Sequence, residues 1–338
     1  MMHRARISKP IRAAIIGYGG SGKLAHAYGL QANKQFEIAA VCDLSPDKRK
    51  EAETDLGCRT YDDLAGMLQK EPLDLVSIIT RTDTHCALTC QCLEAGVNVL
   101  ITKPWAMDRS EAEQILSSWK RSGCELFAWL PSYWFPEYLK IRDLIREGAI
   151  GDVFLIRRYV SQFWRRSDWQ TELRYGGGYL LNWGMHIVQP VMALAGSPVK
   201  RVFGQLQQVL NPGDAEDNFL AVLEFENGVR GITEFTQATE GLPSFMIQGT
   251  AGTILSDGKQ IRVFRKNPSE TVESEVSEYA VEGKIYGDEA DIYRDVAATL
   301  LEGKAFPVTP TDAYEGTCII DAIRASHDSR QVITLGRL

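Results

Sequence analysis

Short, continuously apolar runs alternate with polar-faced stretches through the N-terminal part of the chain. IRAAII (11–16), FEIAAVCD (36–43), DLVSIIT (74–80), VNVLIT (97–102) and CELFAWL (124–130) have the length and residue types of buried strands. Between them, KLAHAYGLQANK, SPDKRKEAETDLG, the stretch reaching Gly96, and DRSEAEQILSSWKRSG read as helices. In the second of these Ser45 can cap the helix, Pro46 suits its first turn and Gly57 closes it. Strands alternating with helices at this pitch predict a parallel sheet with right-handed crossovers.

The pattern changes after about residue 150. DVFLIRRYVSQF, VKRVFGQLQQVL, NFLAVLEFENGVRGITEFTQ and SFMIQGTAGTILSDGKQIRVFRK are longer strand-like stretches. Asn227-Gly228, Ala251-Gly252 and Asp257-Gly258 mark hairpins in them. An α+β region on a largely antiparallel sheet is expected here. Residues 311–329 form an amphipathic helix whose stripe Cys318, Ile319, Ala322 and Ile323 needs a partner.

Composition narrows the class. A chain of 338 residues, 44% hydrophobic, suits about two domains. Its net charge of -7 argues against a nucleic-acid partner. No apolar run approaches the ~18 residues of a membrane span. The basic start, MMHRARISKP, lacks the apolar core of a secretory signal and reads as a tail. Seven cysteines, an odd number without CxxC motifs, fit a cytoplasmic location better than a disulfide framework. His85, Cys86, Cys90 and Cys92 lack common zinc spacing, so no metal is expected.

Candidate chemistry begins at Gly17, Gly19 and Gly22, a GxGxxG between a strand and a helix, with Gly20 and Ser21 inside it. Such a loop turns tightly and lets the backbone approach a pyrophosphate at a helix N-terminus. Asp43 closes the next strand 21 residues beyond Gly22. A carboxylate there accepts from both ribose hydroxyls and repels a 2′-phosphate, which favours NAD over NADP. Lys48 and Arg49 lie close by and could soften that preference, so NADP stays possible.

Further along, ITKPW sets Lys103 just past a parallel strand's carboxyl end, the edge where open α/β sheets bind ligands. TRTDTH (80–85) ends the preceding strand at the same edge. GYLLNWGMH (178–186) then places Asn182 and His186 four residues apart, on one helical face. Such a pair is either a satisfied structural pair or half of a site. Trp134, Trp164 and Trp183 fall in a tryptophan-rich stretch, and aromatic faces suit the C–H faces of a sugar or cyclitol ring. Among the arginines there, Arg165 included, one or two could hold a substrate carboxylate or phosphate.

In order and spacing, AAIIGYGGSG, AAVCDLSPDK, TRTDTH, CLEAGVNVLITKP, GGGYLLNWGMH, EDNFLAVLEFENG and IQGTAGTI resemble the Gfo/Idh/MocA oxidoreductases. The resemblance covers the chain from Ile11 to about Leu335. It implies a Rossmann domain over 10–128 and an open, largely antiparallel sheet domain for substrate binding and oligomerisation over 129–310. A helix over 311–330 would pack back on the Rossmann domain, and homodimers or homotetramers would form through the sheet. The family's glutamate-lysine-proline motif falls on Thr102-Lys103-Pro104, with the glutamate replaced. Its aspartate and histidine, four apart, fall on Asn182 and His186, with the aspartate replaced. Its threonine-rich nicotinamide loop falls on Thr80, Thr82 and His85. Its arginine-phenylalanine pair before a proline is Trp134-Phe135 here.

The chemistry explains the residue types. Oxidising a secondary alcohol removes the hydroxyl proton while hydride leaves carbon. A histidine, with an ordinary pKa near ~6.5, suits the acid/base role, and a lysine can steady the developing alkoxide. Asn182 can hydrogen-bond as an aspartate would, but carries no charge. The expected function is NAD(P)-dependent oxidation or reduction of a sugar, sugar acid or cyclitol hydroxyl. The same residues would serve transient redox by a retained cofactor during elimination or glycoside cleavage. A non-catalytic dinucleotide or sugar sensor is the third reading.

Overall fold

The computed structural model describes residues 10–266, 274–284 and 287–336. Residues 1–9, read above as a tail, lie outside them. The chain divides into two compact units: one runs to Pro131 and takes in Asp288–Tyr314, the other comprises Ser132–Gly287 and the chain from Glu315.

The first unit is built on strands β1 (Ile11–Ile16), β2 (Phe36–Cys42), β3 (Arg59–Tyr61), β4 (Leu75–Ile78), β5 (Asn98–Thr102) and β6 (Leu126–Trp129). Their order is β3-β2-β1-β4-β5-β6 and every pairing is parallel. That is the doubly wound order, with its switch point between β1 and β4. β4 and β5 are buried along their whole length, as a sheet covered on both faces requires. Helices α1 (Tyr28–Gln31, entered through a wide turn at Gly22–Ala27), α2 (Pro46–Leu56), α3 (Leu64–Lys70), α4 (His85–Glu94) and α5 (Arg109–Ser122) connect the strands. Ser45 caps α2 by accepting from the Lys48 amide, and Gly57 ends it in a left-handed conformation.

The second unit opens with α6 (Pro136–Arg146) and β7 (Val153–Ser161), followed by α7 (Tyr179–Ala195). Strands β8 (Val199–Gln207), β9 (Asn218–Phe225), β10 (Arg230–Thr236), β11 (Phe245–Gly249), β12 (Gly252–Ser256), β13 (Gln260–Arg265) and β14 (Glu275–Ala280) follow. With β15 (Ile333–Thr334) they form one sheet, in the order β14-β13-β12-β11-β7-β10-β9-β8-β15. Only β7 and β10 run parallel among the described pairs. The three expected hairpins are present, joining β9 to β10, β11 to β12 and β12 to β13. α7 lies on the face carrying Gly231 and Phe235: Tyr179 stacks on Phe235 at 4.4 Å, and a side chain at Gly231 would press on Val191.

Two late helices correct the expected boundaries. α8 (Glu289–Glu302) was expected with the sheet domain and belongs to the first unit. The reason is Tyr293, fully buried against Gly29, where any added side chain would clash with its ring. The Tyr293 hydroxyl also meets His26 Nδ1 at 2.8 Å and Ser77 Oγ at 2.9 Å. α9 (Pro310–Ser329) was expected to pack back on the Rossmann domain, but from Glu315 onward it belongs to the second unit. Its stripe is buried as the periodicity required, with Ile323 at 0% exposure. Two glycines decide the partner: Gly184 of α7 admits Ile320, and Gly204 of β8 admits Ile323. The Gly204 amide then donates to Ser326 Oγ at 3.0 Å.

Candidate functional site

Within the first unit, the loop after β1 is shaped by two crowded and two open glycines. Gly17 has φ +93, and a Cβ there would collide with the Ile79 carbonyl; a Cβ at Gly22 would collide with the Gly17 carbonyl. Gly19 and Gly20 have no atom within 4 Å of where a Cβ would sit, and with Ser21 they are exposed. The bare backbone edge at 19–21 is therefore the part of the turn that a phosphate can approach, and these residues fit a dinucleotide. Asp43 follows β2 at the same edge. Its Oδ2 accepts from the Tyr18 amide and its Oδ1 from the Ser45 amide, both at 2.8 Å. Each oxygen keeps a second lone pair for a ribose hydroxyl.

Thr80, Thr82 and His85 fall in three different environments. Thr80 Oγ1 meets Thr84 Oγ1 at 2.7 Å. The Thr82 hydroxyl is buried without a hydrogen-bond partner among the described residues. His85 is 1% exposed, with Nδ1 2.8 Å from the Pro104 carbonyl and Nε2 3.1 Å from the Thr80 carbonyl. Burial pushes its pKa down, opposed by those two carbonyls. It ties the turn after β4 to the Lys103-Pro104 turn after β5. Lys103 is half-buried at the end of β5, before a cis proline. Thr102, where the resemblance has glutamate, is buried and donates to the Ile78 carbonyl at 2.9 Å, joining β5 to β4.

Within the second unit, α7 carries Asn182, Trp183 and His186 on adjoining positions of one face. Gly178, φ +96, starts the helix where any side chain would clash with the Glu216 carboxylate. Glu216 instead caps the helix, accepting from the Leu180 amide at 2.9 Å, and burial raises its pKa. His186 is 6% exposed, its ring 6.1 Å from Phe135 and 5.4 Å from Trp183. Phe135 brings the neighbouring Trp134 segment to this helix. The Asn182 amide donates to Gln170 Oε1 at 2.5 Å.

Trp164 and Arg165 lie on the exposed segment after β7, Trp164 at 57% exposure. Trp164 is linked to the helix through a relay. The Arg166 guanidinium stands 5.0 Å over the Trp164 ring and pairs with Asp168, which accepts from the Gln170 amide at 3.0 Å; Gln170 in turn holds Asn182. Gln170, Glu216 and the Tyr133–Gln189 pair (3.1 Å) escaped the sequence reading. Gln170, Glu216 and Tyr133 lie outside α7 in sequence and no spacing marks them, whereas Gln189 lies on α7 itself, three residues past His186, a helical spacing that could have marked it.

A parallel doubly wound sheet with an open glycine cradle, followed by a separate mixed sheet, defines a dinucleotide-binding two-unit architecture. Family comparisons narrow it. Residues 11–129 match the oxidoreductase family with an NAD-binding Rossmann fold, and residues 138–255 match the GFO/IDH/MocA C-terminal domain. The chain belongs to the Gfo/Idh/MocA oxidoreductase family. Among curated relatives it is 23% identical to the scyllo-inositol 2-dehydrogenase (NADP(+)) IolW of Bacillus subtilis, over 96% of each chain. It is 26% identical to D-glucoside 3-dehydrogenase of Escherichia coli, over 67% of this chain and 70% of that one. Its fold matches levoglucosan dehydrogenase in complex with NADH and L-sorbose, with TM-score 0.87 and 19% identity, over 98% of this chain and 100% of the other.

Proposed function

We propose that the protein moves hydride between NAD and a secondary hydroxyl of a sugar, sugar acid or cyclitol. The observation that carries this is the open backbone edge at Gly19 and Gly20 beside Asp43, in a chain of this family. Inositol and glucoside dehydrogenases among the relatives support the substrate class. A nicotinamide bound there would supply the hydride acceptor. His186 takes the hydroxyl proton, Lys103 steadies the developing alkoxide, and Asn182, aligned by Gln170, holds a neighbouring hydroxyl. Trp134, Trp164 and Trp183 offer ring faces, and Arg165 a cation for an acidic substrate. Thr80 and Thr82 stay with the cofactor, and His85 acts on it through the two turns it joins.

The second unit also supports self-association. The sheet face opposite α7 carries Leu220, Val222, Ile232 and Met246, all half-buried, with Arg157 and Glu234 set among them, a mixed face suited to a second copy. We place the protein in the cytoplasm, on its odd number of cysteines. Among the described residues no helix is long and apolar enough to cross a membrane.

The test is a panel of polyols, sugars and uronates with purified protein, following NADH and NADPH absorbance. Net NADH formation on one of them supports the reading. A retained cofactor with product but no net NADH would instead favour transient redox. Binding of sugar and dinucleotide with no product would favour a sensor. Light scattering in solution checks the oligomer, and a monomer would contradict it.

A further inference from the structure

Two cations follow Asp43 closely enough to serve a 2′-phosphate, and the structure gives both another task. The Arg49 guanidinium donates to the carbonyls of Asp43 (2.8 Å) and Leu44 (3.1 Å). Lys48 Nζ sits 2.7 Å from Glu51 Oε2. The other oxygen, Glu51 Oε1, lies 2.7 Å from Lys23 Nζ, and Lys23 also meets Asp55 Oδ2 at 2.7 Å. Tyr18, inside the glycine loop, donates its hydroxyl to the same Asp55 oxygen at 3.1 Å. Two lysines and two carboxylates thus form a neutral cluster fastened to the cradle. The two ammonium groups hold the Glu51 carboxyl down at about 2, so it stays ionised at neutral pH.

We propose that Glu51 is a cofactor-specificity residue: by engaging Lys48, while Asp55 also holds Lys23, it withholds the cation a 2′-phosphate would need, and so sharpens the NAD preference that Asp43 sets. It acts through Lys48 and touches no cofactor. The inference rests on the reading that a dinucleotide occupies the glycine cradle. NADP selection in such sites needs a cation near the ribose, and a lysine already neutralised by a carboxylate offers little field to an incoming phosphate. Exposed ion pairs are individually weak, so the effect is a graded preference.

The experiment titrates the full chain with NADH and with NADPH, reading dissociation constants by intrinsic fluorescence, for the natural protein, E51Q, K48A and K48A/E51Q. The natural protein should bind NADH more tightly. E51Q should shift the NADPH-to-NADH ratio toward NADPH by about tenfold, the scale of one freed charge-assisted contact. K48A/E51Q should lose most of that gain. An unchanged ratio in E51Q overturns the proposal. So does a gain that persists in K48A/E51Q, since mere loss of a repelling carboxylate would then explain it. A natural protein that binds NADH but takes NADPH equally well also overturns it. One that binds neither coenzyme instead removes the dinucleotide reading on which it rests.

Discussion

The glycine loop of the first unit and the α7 face of the second are built by different means. The loop works through backbone: Gly17 and Gly22 are forced by close approach, and Gly19 and Gly20 present bare peptide groups. The α7 face presents side chains held by other segments, with Glu216 at the helix start and Gln170 on Asn182. A backbone device is tied to one short local stretch. A side-chain device depends on loops that can change independently, which suits a fold whose relatives share a dinucleotide domain and differ in the ring they act on.

The contrast can be broken at the loop. Gly17→Ala should be the most damaging change, since it adds a backbone clash at positive φ. About 2–6 kcal/mol of destabilisation is expected, a large part of the ~5–15 kcal/mol stability of a typical domain. Chemical denaturation measures it, and a loss below ~0.5 kcal/mol would mean the turn is not as drawn. Gly19→Ala should separate fold from function. Nothing lies within 4 Å of the new methyl, so stability should hold while NADH binding weakens by about 10–100-fold. Unchanged NADH affinity would mean that the backbone at 19 is not the contact.

A buried histidine offers a comparison within the first unit. Burial lowers the His26 pKa to about 3, against ~6.5 in the unfolded chain. The neutral ring's contribution is therefore fully present above pH ~6.5 and is lost as pH falls toward 3. By pH 5 that is about 2 kcal/mol. His26→Gln keeps a partner for Tyr293 and should flatten this part of the stability–pH curve. An unchanged slope would contradict the burial. The smallest effect belongs to the α7 face: Gln170→Ala should raise substrate KM about fivefold, one lost neutral hydrogen bond. Gln170→Glu, which still accepts from Asn182, should recover most of it. Equal loss in both variants would mean that Gln170 only shapes its turn.

The parts legible in the sequence were those written locally. β1, β2, β4, β5 and β6 are continuous apolar runs, and the GxGxxG loop with Asp43 is set by backbone needs that few residue types meet. β3, three residues long and partly exposed, gave no such run. The stripe on α9 shows that it is buried but not against what, because Gly184 and Gly204, which admit it, lie far off in sequence. His85 read as a cofactor contact because of its place in TRTDTH. Both ring nitrogens face carbonyls, one of them 19 residues away at Pro104. Thr102 and Asn182, which depart from the family pattern, become intelligible only beside Ile78 and Gln170.

The central claim is that the first unit binds the coenzyme while Lys103 and His186 serve one hydride transfer. Single-turnover NADH formation on an accepted substrate, together with NADH dissociation constants for the same proteins, tests it most directly. Lys103→Ala should slow the step by about 10²–10³-fold and His186→Ala by about 10²–10⁴-fold. The His186→Ala protein, altered in the second unit only, should bind NADH within about twofold of the natural one, far less than the ~1.4 kcal/mol of a tenfold change. Near-normal rates in both variants, with substrate and NADH binding intact, would contradict the account and leave Asn182 and His186 as a polar pair on a helix.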